Sequence, residues 1–175
     1  MALRGSRRST LTRPFRATVI GCPGRGKSTI LIPALIAAGL PRTSVTSLDA
    51  TRKRLYGSES ILGGYEVERE TRLAEAALME RGRSVVRDAT GLNPRVRRTD
   101  ILRARAFGYS AVALLASTLS LRELRRRNAS RAACVPDHIL EGFYLKAQTL
   151  TVAGLLDEGF DAVIVWNDRT AFALD

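Results

Sequence analysis

Short apolar runs alternate along most of the chain with stretches of helical periodicity, and strands alternating with amphipathic helices are the mark of an α/β domain built on a parallel sheet. The first run, Ala17-Thr18-Val19-Ile20, predicts a strand over 17–20; a glycine-rich turn follows, then a helix over 27–38 that Gly39 ends. Pro33 falls inside that helix and predicts a kink, because proline lacks a backbone donor and its ring crowds the preceding turn. A second strand over 44–48 leads to Asp49, and an amphipathic helix over 65–81 stops at Gly82. The third strand, 84–87, leads to Asp88. Pro94, at the favoured first helical position, opens a helix over 94–107 that delivers the chain to a fourth strand over 110–115. A basic helix over 121–128, an irregular stretch to Val135, a helix over 136–156 and a last strand over 162–166 complete the pattern.

With 175 residues, the chain is the size of one domain and buries roughly two thirds of the surface its unfolded form exposes. The expected organisation is a basic, disordered arm over 1–15 and one domain over 16–175. No apolar run reaches the roughly 18 residues needed to cross a bilayer, and the start lacks the apolar block of a secretory signal, so a soluble, cytoplasmic protein is expected. Cys22 and Cys134 stand far apart, with no second pair or histidine at ligand spacing, which suggests neither a disulfide framework nor a zinc site.

The formal charge of +11 points to an anionic partner. Arginine far outnumbers lysine, however, and a GC-rich coding sequence produces the same bias, so charge alone does not choose a ligand. Arg4, Arg7, Arg8, Arg13 and Arg16 carry five of the positive charges with no acidic residue among them. Three readings fit this arm: added affinity for nucleic acid, a transit-like leader, or a frayed terminus without a role.

Gly21-Cys22-Pro23-Gly24-Arg25-Gly26-Lys27-Ser28 fits the pattern G-x-x-x-x-G-K-[ST] and stands between a predicted strand and a predicted helix, the context in which that pattern cradles phosphates. Gly21, Gly24 and Gly26 let successive backbone N–H groups turn inward around a β-phosphate, and the helix N-terminus behind them adds partial positive charge. Lys27 reaches the β- and γ-phosphate oxygens in such a site, and the Ser28 hydroxyl ligates Mg²⁺. Asp88, at the end of the third strand, is placed to hold that Mg²⁺ directly or through water. Its plainer alternative is a capping aspartate.

A nucleotide site alone serves a GTPase, a motor or a kinase. No Asn-Lys-x-Asp guanine-reading motif occurs, and Asn167-Asp168-Arg169 is only a faint echo of a base-binding loop. In a kinase the acceptor needs a base near the γ-phosphate, at the end of the strand beside the phosphate loop, and Asp49 is the candidate. Arg52, three residues on, shares its face and can hold an anionic part of the acceptor. An N-capping aspartate beside a surface arginine is the alternative. Arg127 and Arg131, four apart in a basic run, point to one side of a continuous helix and can close over a triphosphate as a lid. Arg122, Arg125 and Arg126 read instead as a solvated basic face. His138, the lone histidine, takes no role.

Four stretches together resemble the kinase domain of the bacteriophage-type polynucleotide 5′-kinase family: Gly21 to Thr29, Asp49-Ala50-Thr51-Arg52, Asp88-Ala89-Thr90-Gly91-Leu92-Asn93-Pro94, and Arg127-Asn128-Ala129-Ser130-Arg131 followed by Val135-Pro136. The resemblance spans about residues 16–150, and the Asp-x-x-Arg element joined to the Arg-Asn-x-x-Arg lid is its most particular part. It implies a central parallel sheet flanked by helices, with the phosphate-loop strand between the third and fourth strands. It also implies transfer of the γ-phosphate of ATP or another NTP, with Mg²⁺, to 5′-hydroxyl ends of RNA or DNA, with Asp49 as general base. In that scheme Arg52 contacts the acceptor's first phosphate, Arg127 and Arg131 serve with Thr29 on the donor, and Val135 and Ile139 pack against the terminal nucleoside. A separate phosphatase and ligase acting on the same ends are the implied partners. Gly91 stands where the family often has asparagine, the lid is shorter before Val135, and without the phosphatase domain that follows the kinase in several members, 3′-end healing is not expected of these 175 residues. A P-loop kinase of a small alcohol, such as a sugar, antibiotic or nucleotide-sugar, is the second reading, and a nucleotide-dependent regulatory protein is the third.

Overall fold

A computed structural model describes residues 9–58, 64–131 and 134–175. In chain order the elements are β1 (Ser9–Leu11), β2 (Phe15–Ile20), a wide π-type turn (Lys27–Leu31) that runs into α1 (Ile32–Ala37), β3 (Val45–Ser47) and α2 (Leu48–Tyr56). There follow α3 (Gly64–Glu80), β4 (Val85–Asp88), α4 (Pro94–Ala106), β5 (Ser110–Ala116), α5 (Leu121–Ala129), α6 (Asp137–Gln148), α7 (Val152–Asp157), β6 (Ala162–Trp166) and β7 (Phe172–Leu174).

Five parallel strands form one sheet in the order β3-β4-β2-β5-β6, so β2, which feeds the phosphate loop, lies between β4 and β5 as expected. All six residues of β2 are buried, because both of its faces are covered. On one face Ile20, Val85, Ala111 and Ala113 pack against Met79 of α3, Ile101 of α4, Leu124 of α5 and Leu140 of α6. On the other, Phe15, Val19, Val86 and Leu114 pack against Leu31 and Leu35, together with Leu11 and Phe172. Those last two come from β1 and β7, a parallel two-stranded ribbon that the hydrophobic pattern did not announce.

The first of these faces also holds a buried ionic cluster. Arg16 of β2 pairs with Glu75 and Asp100, each at 2.9 Å, and Arg87 of β4 pairs with Glu68 and reaches Glu75 at 3.6 Å and Asp100 at 3.7 Å. Thr18 donates to Asp100 at 3.0 Å and Thr46 to Glu75 at 3.0 Å. Burial pushes the Asp100 carboxyl up, against the pull of Arg16 and Arg87. The cluster ties α3 and α4 to the sheet.

Several expectations need correction. Residues 1–8 of the expected arm, with Arg4, Arg7 and Arg8, lie outside the described residues, but Ser9–Leu11 is a strand and the other two arginines belong to the body. Arg13 donates to the Gly39 carbonyl at 3.0 Å, and Arg16 is buried because two carboxylates meet it. The helix expected over 27–38 opens as a π-type turn, and Pro33 sits within the first two residues of α1, where its missing N–H costs little. The second strand stops at Ser47, whose side chain caps α2 by accepting from the Ala50 N–H, and Gly57 closes that helix at φ 72°. The helix expected over 136–156 breaks into α6 and α7, because Thr151 caps a new start by accepting from the Gly154 N–H. Among the described residues no helix is long and apolar enough to cross a membrane.

Candidate active site

The loop after β2 turns at Gly24 (φ 77°) and Gly26 (φ 94°), a left-handed backbone that glycine adopts without strain. Gly24 also packs closely on α5: a Cβ there would lie 3.2 Å from the Leu124 carbonyl oxygen and 3.4 Å from the Arg127 Cβ. Gly21 closes the strand rather than lining the cavity, and its N–H donates to the Thr90 carbonyl at 2.9 Å. That bond joins the loop to the segment after Asp88. Gly91, in the asparagine position, explains itself locally: it has φ 59°, and a Cβ would stand 2.4 Å from the Val19 carbonyl oxygen.

The loop opens into a cavity of about 910 Å³ at the C-terminal ends of β2, β3 and β4. Gly24, Gly26, Lys27, Ser28 and Thr29 of the loop line it together with Asp49, Arg52 and Asp88. Arg127 of α5 and Arg131 of the segment that follows also line it, and Val135, Ile139 and Phe143 contribute apolar side chains. With Gly21 as the exception, every residue that the sequence nominated for chemistry or binding therefore meets in one space.

Lys27 donates through Nζ to the carbonyls of Gly21 at 3.0 Å and Cys22 at 2.8 Å. Burial lowers its ammonium to about 8, although the Asp88 and Cys22 charges oppose that shift. The Ser28 hydroxyl donates to Asp88 at 2.6 Å. Burial pushes the Asp88 carboxyl up, with Asp49 adding to the effect, while Ser28 and Lys27 pull it back. A hydroxyl and one carboxylate turned toward each other at the mouth of a phosphate loop fit Mg²⁺, which takes few protein ligands and completes its shell with phosphate and water oxygens. Ser28 and Asp88 are the residues that would hold it.

Asp49 enters the cavity from the first turn of α2, not from a strand beside β2. Its strand, β3, is the sheet edge, and β4 with Asp88 occupies the adjacent place, so the expected neighbour relation belongs to Asp88. Both carboxylates still reach the cavity because α2 folds back over the strand ends. Arg52 pairs with Asp49 at 2.5 Å. The lid arginines do not share a helix face: α5 ends at Ala129, so Arg131 stands beyond Ser130, yet both line the cavity. Arg125 pairs with Asp137 at 2.7 Å and Arg126 with Glu123 at 2.7 Å, as residues of a solvated face do.

Sequence reasoning missed Arg25, which is buried beneath the loop, and Asp168, which pairs with both Arg25 and Arg127. It also missed Phe143 among the apolar side chains of the cavity. Asn167-Asp168-Arg169 was the available signal for Asp168, but nothing in the sequence joins it to Arg25 and Arg127, 143 and 41 positions away.

The sequence pattern of the AAA domain family matches residues 17–146. None of the curated proteins matches the chain. Among solved structures, a gluconokinase from Sinorhizobium meliloti 1021 is 22% identical over 93% of this chain and 85% of its own, with a TM-score of 0.51. A chain of the Pnkp1/Rnl/Hen1 RNA repair complex is 19% identical over 85% of this chain and 47% of its own, at 0.55. A chain of the PezAT toxin-antitoxin system of Streptococcus pneumoniae is 17% identical over 94% and 71%, at 0.57. At these identities the likeness speaks to the fold, a P-loop kinase-type α/β sheet flanked by helices. With the family pattern covering β2 through most of α6, the chain belongs to the AAA domain family.

Proposed function

We propose that the chain transfers the γ-phosphate of ATP or another NTP to the 5′-hydroxyl end of RNA or DNA. The observation that carries this reading is the pair Asp49 and Arg52 on one helical turn, facing the same cavity as the phosphate loop. A carboxylate three residues from a guanidinium suits an acceptor that presents a hydroxyl and, one sugar away, a phosphate. Val135, Ile139 and Phe143 add an apolar wall on which the sugar and base of a terminal nucleotide can rest.

In the proposed reaction the phosphate loop and Lys27 hold the β- and γ-phosphates, and Arg127 and Arg131 balance charge on the transferring group. Ser28 and Asp88 would hold Mg²⁺, which when bound would supply charge neutralisation to the phosphates. Asp49 accepts the proton of the 5′-hydroxyl as its oxygen bonds to the γ-phosphorus. The bond from that phosphorus to the bridging oxygen breaks, and the nucleoside diphosphate leaves.

A small-alcohol kinase is the competing reading, since a cavity of about 910 Å³ also admits a sugar or an antibiotic. The test offers γ-labelled ATP with 5′-hydroxyl oligonucleotides, a nucleoside, the same nucleoside carrying a 3′-phosphate, and a panel of small alcohols. The oligonucleotide and the 3′-phosphorylated nucleoside should be phosphorylated at least about tenfold better than the bare nucleoside, and Arg52→Ala should shrink that preference. Turnover of a small alcohol with no transfer to any oligonucleotide would replace this reading with its rival.

A further inference from the structure

Arg127 does not hang free over the cavity. Its Nε donates to Glu123, one turn earlier on α5, at 2.6 Å, and its Nη2 donates to Asp168 at 3.2 Å. Asp168 lies in the turn between β6 and β7, far from α5 in sequence. That turn is stitched: the Asn167 N–H donates to Thr170 Oγ1 at 2.8 Å, the Arg169 N–H to Asn167 Oδ1 at 2.8 Å, and the Thr170 N–H to the Asn167 carbonyl at 3.1 Å. It follows Trp166, which is fully buried and donates from its indole nitrogen to the Leu114 carbonyl at 3.2 Å.

The other oxygen of Asp168 accepts from Arg25 of the phosphate loop at 2.5 Å. Arg25 is only 2% exposed. Its Nε donates to the Ser117 carbonyl at 2.7 Å, its Nη2 to the Ser117 hydroxyl at 2.9 Å, and its guanidinium lies 4.6 Å from the centre of the Trp166 ring. A buried guanidinium with three polar partners and an aromatic face has little freedom to move. Asp168 is thereby a fixed point, and it passes that fixity to Arg127.

We infer that Asp168 is a positioning residue, which sets the lid guanidinium of Arg127 against the phosphate loop through Arg25. A guanidinium has five N–H donors. Glu123 and Asp168 use two of those on Arg127, so three remain for phosphate oxygens in the cavity. The contact therefore orients Arg127 without occupying it, which makes it a brace and not a latch. It also sets the distance between lid and loop, because Gly24 already packs on the same turn of α5. A donor phosphate held by the loop then meets an arginine whose plane is already set, the condition under which charge stabilisation costs no reorganisation during the reaction.

This inference rests on the reading of Arg127 as a donor-contacting residue, and a double-mutant cycle tests it. Asp168→Ala, Arg127→Ala and the double variant are compared for ATP affinity by calorimetry and for kcat and the donor and acceptor KM on a 5′-hydroxyl oligonucleotide. Asp168→Ala should lower kcat about tenfold and raise the donor KM, with the acceptor KM unchanged. In the Arg127→Ala background, the same substitution should change each quantity less than about twofold. Asp168→Asn keeps the shape and one acceptor oxygen, should fall between the two, and remains informative where the alanine variant folds poorly. Equal losses in both backgrounds would overturn the inference, because Asp168 would then act on the loop alone. A rise in kcat would also overturn it, by showing a latch. Were no oligonucleotide phosphorylated by the unaltered chain, the proposed acceptor would fail, and the ATP-affinity arm would still decide the role of Asp168.

Discussion

Lys27 offers a quantitative test of the donor site. Burial lowers its ammonium to about 8, with Asp88, Cys22 and Asp49 opposing the shift and Arg131 reinforcing it. With a free-site value of about 8, roughly three quarters of molecules carry the charge at about pH 7.5 and roughly a tenth at about pH 9. A triphosphate favours the charged form, since opposite charges raise an ammonium's pKa. If the neutral form binds poorly, the apparent Kd scales with the inverse of the competent fraction and should rise about eightfold between those two pH values. The sign of the proton linkage follows: near pH 8.5 binding should take up about three quarters of a proton, because the free site is mostly neutral and the bound site is charged. Nucleotide phosphates are already ionised there, as their last proton leaves near about pH 6. Burial also pushes the Cys22 thiol up. Calorimetric titration of ATP in two buffers of different ionisation enthalpy reads both quantities. Lys27→Arg, permanently charged, should give a flat profile with no proton uptake. A flat profile in the unaltered chain would refute the argument, since Lys27 would then either keep its proton or make no contact with the donor.

Asp49→Asn should lower turnover by about 10²- to 10⁴-fold, the usual worth of a positioned base, and leave ATP affinity within about twofold; lost donor affinity at unchanged turnover would assign Asp49 to the metal or to structure. Glu75→Ala should destabilise the fold by about 3–5 kcal/mol in urea unfolding, because it leaves the buried guanidiniums of Arg16 and Arg87 short of a carboxylate; a loss below about 1 kcal/mol would mean that the cluster rearranges around the gap.

The parts legible in the sequence are those whose chemistry is local. The phosphate loop announces itself because glycines with positive φ, a lysine and a hydroxyl must follow one another at fixed spacing, and Asp49 with Arg52 is legible for the same reason. Sheet order was legible only through the family resemblance: β3 and its Asp49 take the edge, a placement that depends on which strand reaches β2 first. Helix α2 was missed because it buries no residue and so leaves no apolar stripe, although its caps at Ser47 and Gly57 were readable. Arg16 looked like part of a basic arm because its partners, Glu75 and Asp100, are 59 and 84 positions away. Charge in a linear sequence carries no mark of burial. Arg25 and Asp168 escaped in the same way.

The pairing of Arg52 with Asp49 bears on the proposed choice of acceptor. The two side chains are 23% and 60% exposed, so their ion pair at 2.5 Å is worth about 1 kcal/mol or less. A phosphate meeting the Arg52 guanidinium gains charge-assisted hydrogen bonds worth about 1.5–3 kcal/mol, enough to draw the arginine away. A neutral alcohol brings nothing that competes for Arg52, and one oxygen of the proposed base then remains engaged by a donor that opposes proton acceptance. An acceptor carrying a phosphate next to its hydroxyl would thus release the carboxylate it needs, so the preference should appear in kcat as well as in KM. Loss of the kcat component together with the KM component in Arg52→Ala, with the 3′-phosphorylated and bare nucleosides then turned over at similar saturating rates, is the expected outcome. A phosphate preference confined to KM would show that Arg52 binds the acceptor without governing Asp49.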